Sequence, residues 1–392
     1  MKTEYDVVVL GAGPAISMAA RTAAQACLST LLLEKRQEIG SPVRCAEAVE
    51  KETLARFVAL DPRWIAAEIR TFYVSNSEGN CGVMPPLEET LVLVRKLFDR
   101  ELAHLAAQAG AEVAVMARAD GFSREDNEHL VVHILLKGEP ICIRSLIVIG
   151  ADGTGSQSTR WAGLHVVPLL KDYFVAAQYL VSGIEIDPHI CRYYFGWDVA
   201  PSGYAWVFQK GDRKANIGLV ITEQPEERRP VLYYLDAFML VHFPTSSILV
   251  QVVGGIPVTN VLPHMVADNY LAVGDAARQS DPLTAGGITN GMFGGLYAAQ
   301  VAGAAILAGD LSAKFLKQDE SLWNAAFGKL LHRLYRIQYT IYRIPDAGIR
   351  QMIKQASVLD AGKMSLKDVL AILFMVQPQL LAEVMPFFWN NE

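Results

Sequence analysis

The strongest hydrophobic pattern in the chain is a set of three apolar runs, rich in β-branched residues, that each end at a glycine. They are residues 5–10, before Gly11 and Gly13; residues 146–149, before Gly150 and Asp152; and the run before Gly274 and Asp275. Runs of this kind are typical of parallel strands that are buried on both faces. The pattern predicts an α/β fold whose strands deliver phosphate- or hydroxyl-binding turns.

The remaining pattern divides the chain further. Residues 94–110 have the periodicity of an amphipathic helix, residues 165–260 are strand-rich and aromatic, and the chain is helical from about 311. We therefore predict three regions: a discontinuous α/β domain, a sheet-rich domain and a C-terminal helical region. Their predicted bounds are 1–70, 95–164 and 261–310 for the first; 71–94 and 165–260 for the second; and 311–392 for the third.

The first glycine turn has the chemistry of a dinucleotide site. Gly11 allows the tight turn and Gly13 lets a pyrophosphate approach the backbone at a helix N-terminus. Glu34 ends the next predicted strand, where an acid normally holds ribose hydroxyls. Ile16 occupies the position of the third glycine. Its branched side chain predicts an outward displacement or a register shift of the first helix.

Composition narrows the class of protein. Apolar residues make up 52% of the 392 residues and charged residues 19%, which favours a buried-rich enzyme or one that meets lipid. The net charge of −6, without a basic cluster, argues against a nucleic-acid partner. Residues 282–309 are apolar enough to be mistaken for a membrane span, but their glycines favour a helix packed inside the protein.

Cysteine and histidine usage argues against disulfides and metals. The five cysteines are widely spaced with no C-x-x-C pair, and the eight histidines show no ligand spacing. We therefore predict a reducing, cytoplasmic compartment and no metal site.

Three further segments carry a family resemblance. They are residues 40–48 (GSPVRCAEA), residues 203–211 (GYAWVFQKG) with 216–218 (NIG), and residues 281–288 (DPLTAGGI). With the three glycine turns, they resemble the archaeal geranylgeranyl reductases, p-hydroxybenzoate-hydroxylase-type flavoproteins that saturate prenyl chains of membrane lipids. The resemblance spans roughly residues 4–340. It implies a Rossmann-type FAD-binding domain, an inserted antiparallel-sheet substrate domain and a C-terminal helical region.

The resemblance also implies roles for single residues. Arg44 and Cys45 match a P-x-R-C motif beside the flavin ring, and Tyr204 and Trp206 match an aromatic pair of the substrate cavity. Gln209 stands where proline is usual. The residues implied to bind FAD are Gly11, Gly13, Ala15, Glu34, Arg44, Cys45, Ala46, Ala48, Arg95, Ala119, Asp275, Gly287 and Ile288.

Within that set, the implied contacts differ. Arg95 contacts the cofactor, Ala119 ends a short strand on the adenine side, and Asp275 binds the ribityl hydroxyls. Gly287 and Ile288 present backbone N–H groups to the flavin N1–O2 edge. Ala46 and Ala48 stand where the family usually has glycines.

The implied reaction transfers a hydride from flavin N5 to a polyprenyl lipid, with Cys45 as the candidate proton donor and water as the alternative. A single dinucleotide fingerprint leaves the electron donor external: ferredoxin, a reduced deazaflavin or NAD(P)H. Apolar segments at 369–376 and 380–389 are too short to cross a bilayer and predict peripheral contact at the inner membrane face. Two alternatives remain: a flavin monooxygenase or halogenase, and a non-catalytic lipid-binding protein.

Overall fold

The computed structural model describes residues 1–84, 88–126, 128–164, 172–222 and 229–356. Within these ranges the strands are β1 (Glu4–Leu10), β2 (Thr30–Glu34), β3 (Ala48–Glu50), β4 (Ile65–Ile69), β5 (Thr71–Asn76), β6 (Cys81–Met84), β7 (Thr90–Leu93), β8 (Glu112–Val115), β9 (Ala117–Arg124), β10 (Leu130–Leu136), β11 (Glu139–Gly150), β12 (Tyr173–Ser182), β13 (Ile190–Phe195), β14 (Tyr204–Gln209), β15 (Lys214–Ile221), β16 (Ser247–Pro257), β17 (Val266–Ala267) and β18 (Tyr270–Ala272).

The α-helices in the same ranges are α1 (Pro14–Gln25), α2 (Lys51–Ala55), α3 (Arg95–Gln108), α4 (Ser158–Trp161), α5 (Val231–His242), α6 (Ile288–Ala308), α7 (Ala313–Leu316), α8 (Gln318–Trp323), α9 (Lys329–Ile341) and α10 (Asp346–Ala356). Short 3-10 helices cover Pro62–Trp64 and Gly274–Ala277, and one π-helical turn covers Asn324–Gly328. The amphipathic helix predicted over 94–110 corresponds to α3.

The chain forms two compact units. The first unit comprises residues 1–43, 95–168 and 257–332, and the second comprises 44–94, 169–256 and 333–392. The predicted boundaries differ at residues 44–70, which join the second unit. The reason is pairing: β3 and β4 both pair with β7 in a three-stranded sheet, so the segment cannot separate from 71–94.

The predicted C-terminal region is divided as well. Residues 311–332 belong to the first unit and the chain from 333 onward to the second. The apolar segments 369–376 and 380–389 lie outside the described residues.

The first unit is built on an eight-stranded sheet with the order β17-β18-β11-β1-β2-β8, extended by β10 and β9. Its centre is parallel, with Leu10 opposite Gly150 on β11 and opposite Leu33 on β2. Parallel neighbours end at the same edge, so the turns after β1, β2, β11 and β18 lie together. The predicted α/β fold is confirmed.

The second unit contains a seven-stranded, mainly antiparallel sheet with the order β16-β12-β15-β14-β13-β5-β6. Side chains alternate between its two faces. One face packs under α5 in an apolar core that includes Ala205, Val207, Ile217 and Leu219. Tyr204 and Trp206 therefore point to the opposite face, which we call the aromatic face.

Among the described residues, α6 is the one helix long and apolar enough to cross a membrane. Of its most apolar 18-residue window, 56% is buried inside the protein. The burial agrees with the prediction of an internal helix.

Candidate functional site

The functional residues fall in both units and are described unit by unit. In the first unit, the turn between β1 and α1 forms an open cradle. Gly11 has φ +119°, which favours glycine, and a Cβ at Gly13 would meet no atom within 4 Å. Gly13 is the N-cap of α1, Pro14 follows it, and no side chain caps the helix. The N–H groups of the first turn are therefore left for an anionic ligand.

Ile16 packs against the turn after β1, where a Cβ built on Gly11 would lie 3.7 Å from its Cγ1. Its side chain is fully buried, and the close helix approach is made at Ala15 instead. A Cβ on Gly291 would lie 3.2 Å from the Ala15 methyl carbon, and a Cβ on Gly295 would clash with the Ala15 carbonyl oxygen. The small residues needed for close packing thus lie on α6, and Ala15 occupies the contact between the two helices.

Glu34 sits at the end of β2, as predicted, and is buried. Its Oε1 accepts the backbone N–H of Arg36 at 2.8 Å. A cavity of about 610 Å³ opens immediately after it, with Lys35, Arg36 and Arg118 among its lining residues. The basic residues at this cavity would suit the phosphate groups of a dinucleotide whose ribose was held by Glu34.

Ala119 follows Arg118 but does not end a strand. It is the third residue of the eight-residue β9 and pairs with Ile134, where the register of β10 shifts. The implied short strand end is therefore a mid-strand position, because β9 continues along β10 to Arg124.

Asp152 organises its own turn. Its Oδ2 accepts the backbone N–H groups of Gln157 and Ser158 at 2.7 and 3.0 Å, and its Oδ1 accepts the Ser158 hydroxyl at 2.6 Å. The Ser158 hydroxyl lies 2.8 Å from the Tyr270 hydroxyl on β18. The side chain fixes the edge of the sheet and has little capacity left for a ligand.

Asp275, in contrast to Asp152, is suited to bind a ligand. Burial raises the pKa of its carboxyl, while the Thr154 hydroxyl, which donates to Oδ2 at 3.3 Å, and the Arg95 charge counteract the rise. A desolvated carboxylate of this kind is stabilised by further hydroxyl donors. Ribityl hydroxyls would supply them, so the residue fits its implied role.

The N-terminus of α6 lies next to this carboxylate. Gly287 is the N-cap, Ile288 begins the helix, and no side chain caps it. A Cβ built on Gly287 would lie 3.6 Å from Asp275 Oδ1. The uncapped N–H groups and the positive end of the helix dipole suit the electron-rich edge of a reduced flavin.

Arg95 begins α3 and makes a two-pronged ion pair with Asp99. Its Nε lies 2.6 Å from Oδ1 and its Nη2 2.9 Å from Oδ2, and both side chains are largely buried. The charge of the same guanidinium offsets part of the rise that burial causes in the pKa of Asp275, so the two predicted residues lie near each other. Within the first unit, a single edge therefore gathers Gly11, Gly13, Arg95, Asp275 and Gly287.

In the second unit, residues 44–48 form a turn that leads into β3. Arg44 is exposed, and Cys45, Ala46 and Ala48 are half-buried. The Cys45 Sγ accepts the backbone N–H of Glu47 at 3.2 Å. The Cys45 carbonyl accepts the side-chain amide of Gln178 on β12 at 3.0 Å.

The Gln178 side chain connects two predicted features of the second unit, the turn at Cys45 and the aromatic residue Trp206. Trp206 Nε1 donates to Gln178 Oε1 at 3.3 Å, so Gln178 bridges Trp206 and the backbone of Cys45. Gly218 lies opposite Trp206 on β15, and a Cβ there would clash with the indole ring. Gly218 therefore leaves the space on β15 that the Trp206 indole ring occupies.

The aromatic face continues around Tyr204. Its ring lies 5.7 Å from Tyr193, 5.9 Å from Trp206 and 6.2 Å from Tyr342, centroid to centroid. Burial raises the pKa of Tyr193 well above its usual value, as expected on a dry surface. The structure thus places Tyr204 and Trp206 together on the aromatic face, and Gln178 links the backbone of Cys45 to Trp206.

Similarity to known proteins agrees with this architecture. Residues 172–256 match the model of the geranylgeranyl reductase catalytic domain. Digeranylgeranylglycerophospholipid reductase 1 of Methanococcoides burtonii is 41% identical over 99% of this chain and 96% of its own length. The chain belongs to the geranylgeranyl reductase family. It is an oxidoreductase that acts on CH–CH bonds.

Comparison with solved structures identifies the fold. A geranylgeranyl bacteriochlorophyll reductase-like protein from Thermoplasma acidophilum is 33% identical, with a TM-score of 0.90 over 97% of this chain and 98% of its own. The p-nitrophenol 4-monooxygenase of Pseudomonas putida has a TM-score of 0.74 at 16% identity, covering 97% and 98% of the two chains. The second similarity shows that this reductase shares the fold of that monooxygenase.

Sequence reasoning missed several polar residues of this family member. Thr154, Gln178 and Asn216 bind side chains or backbone of the predicted site residues, and Lys210 binds the side chain of Glu47, which lies between two of them. Glu47 was quoted within a motif without a function. Their one sequence signal is a polar residue within an apolar strand or a motif, and its partner is 28 to 170 residues away in the chain.

The sequence predicts no metal site. Among the described residues, Glu125, Asp126 and His129 have potential ligand atoms within 4.8 Å of one another. Asp126 Oδ1 accepts the N–H groups of Glu128 and His129, both at 2.7 Å, and Arg144 pairs with Glu125. These contacts explain why the three side chains lie close together: they stabilise a turn.

Proposed function

We propose that this chain binds FAD in its first unit and saturates the C=C bonds of geranylgeranyl chains carried by glycerophospholipids. The observation that carries the proposal is the full-length similarity to digeranylgeranylglycerophospholipid reductase, at 41% identity. The uncapped helix N-termini, the desolvated Asp275 and the aromatic face with its cysteine support it. Reduced FAD supplies the hydride at flavin N5.

The residues of the first unit hold and polarise the cofactor. The α1 N-terminus would hold the pyrophosphate, Glu34 the ribose, and Asp275 with Thr154 the ribityl chain. Backbone N–H groups at Gly287 and Ile288 would stabilise negative charge on the reduced flavin.

The residues of the second unit hold the alkene and supply a proton. An isolated C=C bond is a poor hydride acceptor, so protonation of one carbon accompanies hydride addition to the other. The Cys45 thiol gives that proton and regains one from solvent. The two electrons of each turnover enter from an external donor: ferredoxin, a reduced deazaflavin or NAD(P)H.

An anaerobic assay with geranylgeranyl lipids and a chemical reductant tests the function directly. Mass spectrometry should show products heavier by two hydrogens for each bond reduced. Rapid oxygen consumption with hydroxylated or halogenated product would support the monooxygenase or halogenase alternative. A protein that stays colourless after incubation with FAD would favour the non-catalytic alternative.

Asp275→Ala is expected to weaken FAD binding by about 1–3 kcal/mol, because each ribityl hydroxyl loses an ionised acceptor. That loss corresponds to roughly 5- to 150-fold in Kd. Fluorescence titration of apoprotein with FAD measures it. Asp212→Ala, at an exposed turn of the second unit, is the control and should bind FAD like the wild type. Unchanged affinity in Asp275→Ala would remove this carboxylate from the cofactor site.

A surface of the second unit fits peripheral contact with a bilayer. The α5–β16 surface comprises the exposed apolar residues Tyr233, Leu240, Val241, Ile248, Leu249, Val250 and Val253. Residues 231–256 contain a single carboxylate, Asp236, which accepts the Tyr179 hydroxyl at 2.6 Å. Arg229 lies over the Tyr233 ring at 4.7 Å. Apolar residues edged by tyrosine and arginine are typical of an interfacial contact, and the proposed substrate is a membrane lipid.

The double substitution Leu240→Asp, Val241→Asp is expected to abolish flotation with liposomes, because these two side chains are 74% and 73% exposed and would carry the contact. Leu307→Asp is the matched control: Leu307 is 91% exposed on α6 in the first unit and should not affect flotation. Wild-type flotation by the double variant would exclude this surface and leave the segments 369–376 and 380–389 as the predicted contact.

A further inference from the structure

Glu47 combines an unusual backbone conformation with burial of its charge. Its φ is +73°, in the left-handed region that residues other than glycine, asparagine and aspartate seldom adopt. Its exposed fraction is 4%. A conformation of this kind persists where the surroundings hold it in place.

The surroundings are a buried ion pair and an amide. Glu47 Oε2 accepts Lys210 Nζ at 2.7 Å and Asn216 Nδ2 at 2.5 Å. The side chains of the ion pair are 9% and 6% exposed. Lys210 also donates to the Leu93 carbonyl, and the Leu93 N–H donates to the Glu47 carbonyl at 2.8 Å. The Glu47 carboxylate is therefore paired with Lys210, the residue after β14, and accepts a hydrogen bond from Asn216 on β15. Leu93 on β7 contacts both members of the ion pair.

The same contacts fix the turn that carries Cys45. Gln178 holds the Cys45 carbonyl at 3.0 Å, and Asn216 Nδ2 lies 3.3 Å from the Ala46 carbonyl. The left-handed conformation at Glu47 directs its N–H to the Cys45 sulfur at 3.2 Å. Such an N–H group stabilises the negative charge that remains on the sulfur after the thiol has given up a proton.

We infer that the Glu47–Lys210 ion pair, with Asn216, positions the Cys45 thiol for proton delivery. The inference rests on the proposed function of Cys45. A buried ion pair adds little net stability compared with apolar packing, but breaking it leaves an uncompensated charge that the turn must rearrange to solvate. Glu47 and Lys210 are thus positioning residues that act through Cys45.

The first test is a set of double-mutant cycles on prenyl reduction. Glu47→Gln removes the charge and keeps the shape, and it should lower kcat by roughly 10- to 100-fold, the scale of a misplaced reacting group. The KM for the lipid should stay near the wild-type value, because the aromatic face is intact. In the Cys45→Ala background, Glu47→Gln should cause no further loss. A further full loss there would show that Glu47 acts independently of Cys45.

The second test does not depend on turnover. Iodoacetamide labelling of native protein, followed by mass spectrometry of the Cys45 peptide, should change its rate by about 3-fold or more in Glu47→Gln, because the thiol is no longer held against the Glu47 N–H. Lys214→Met is the matched control, since Lys214 forms an exposed ion pair on β15 with Asp212. It should label and turn over like the wild type.

Lys210→Met leaves the Glu47 carboxylate buried without its cation and is the variant most prone to misfold. The combination Glu47→Gln, Lys210→Met removes both charges and should recover a folded protein that is still slow. Wild-type turnover with wild-type labelling in that combination would overturn the inference. Wild-type turnover of Cys45→Ala alone would instead defeat the proposed proton donor, and labelling would still decide whether the ion pair positions the thiol.

Discussion

Cys45→Ala is expected to keep bound FAD and to slow prenyl reduction by about 100-fold or more. The factor is the usual contribution of a positioned general acid. FAD should remain because the residues that gather at the sheet edge of the first unit do not include Cys45. Anaerobic single-turnover assays, with product mass followed over time, measure the effect on the chemical step.

The control for this substitution is Cys142→Ala. Cys142 is an exposed cysteine on β11 in the first unit, and its loss should not affect turnover. If Cys45→Ala turns over like the wild type, the thiol has no part in the reaction and water becomes the proton donor. A variant that loses FAD as well would show that Cys45 contributes to cofactor retention, which separates this outcome from a purely chemical defect.

Much of the first unit could be predicted from the sequence because its signals are local. An apolar run, a glycine turn and a helix follow one another within about 20 residues, the spacing of the dinucleotide fingerprint. The parallel order of β18, β11 and β1 then brings Asp275 and Gly287 to the same edge as Gly11. The uncapped N-termini of α1 and α6 agree with the roles predicted for these glycines.

The boundary at residue 44 could not be predicted, because it depends on pairing across the chain. β3 pairs with β7 through Val49 and Leu91, and these residues are distant in sequence.

The packing of Ile16 could not be predicted for the same reason. Considered within α1 alone, it predicts a displaced helix, but Gly291 and Gly295 on α6 provide the close approach to Ala15.

The polar network around Cys45 escaped prediction for a related reason. Gln178, Lys210 and Asn216 lie on or beside three different strands, and their side chains meet the Cys45 turn only through the sheet register. The sequence shows isolated polar residues among apolar ones. It contains no sign that they share the face occupied by Trp206.

Trp206→Ala is expected to raise the KM for geranylgeranyl chains far more than the KM for a five-carbon prenyl unit. The reason is burial: a long chain covers the aromatic face and gains roughly 0.8 kcal/mol for each methylene removed from water, so losing the indole removes contacts that a short chain never makes. The ratio of kcat/KM between long and short substrates is the measurement. Trp206→Phe keeps the ring but removes the N–H that reaches Gln178, so it should lower kcat through the Cys45 turn and leave the ratio nearly unchanged. Tyr194→Ala, on the opposite face under α5, should reduce stability without altering the ratio. Equal effects of Trp206→Ala on both substrates would show that the prenyl chain binds elsewhere, and the aromatic face would then have a structural role alone.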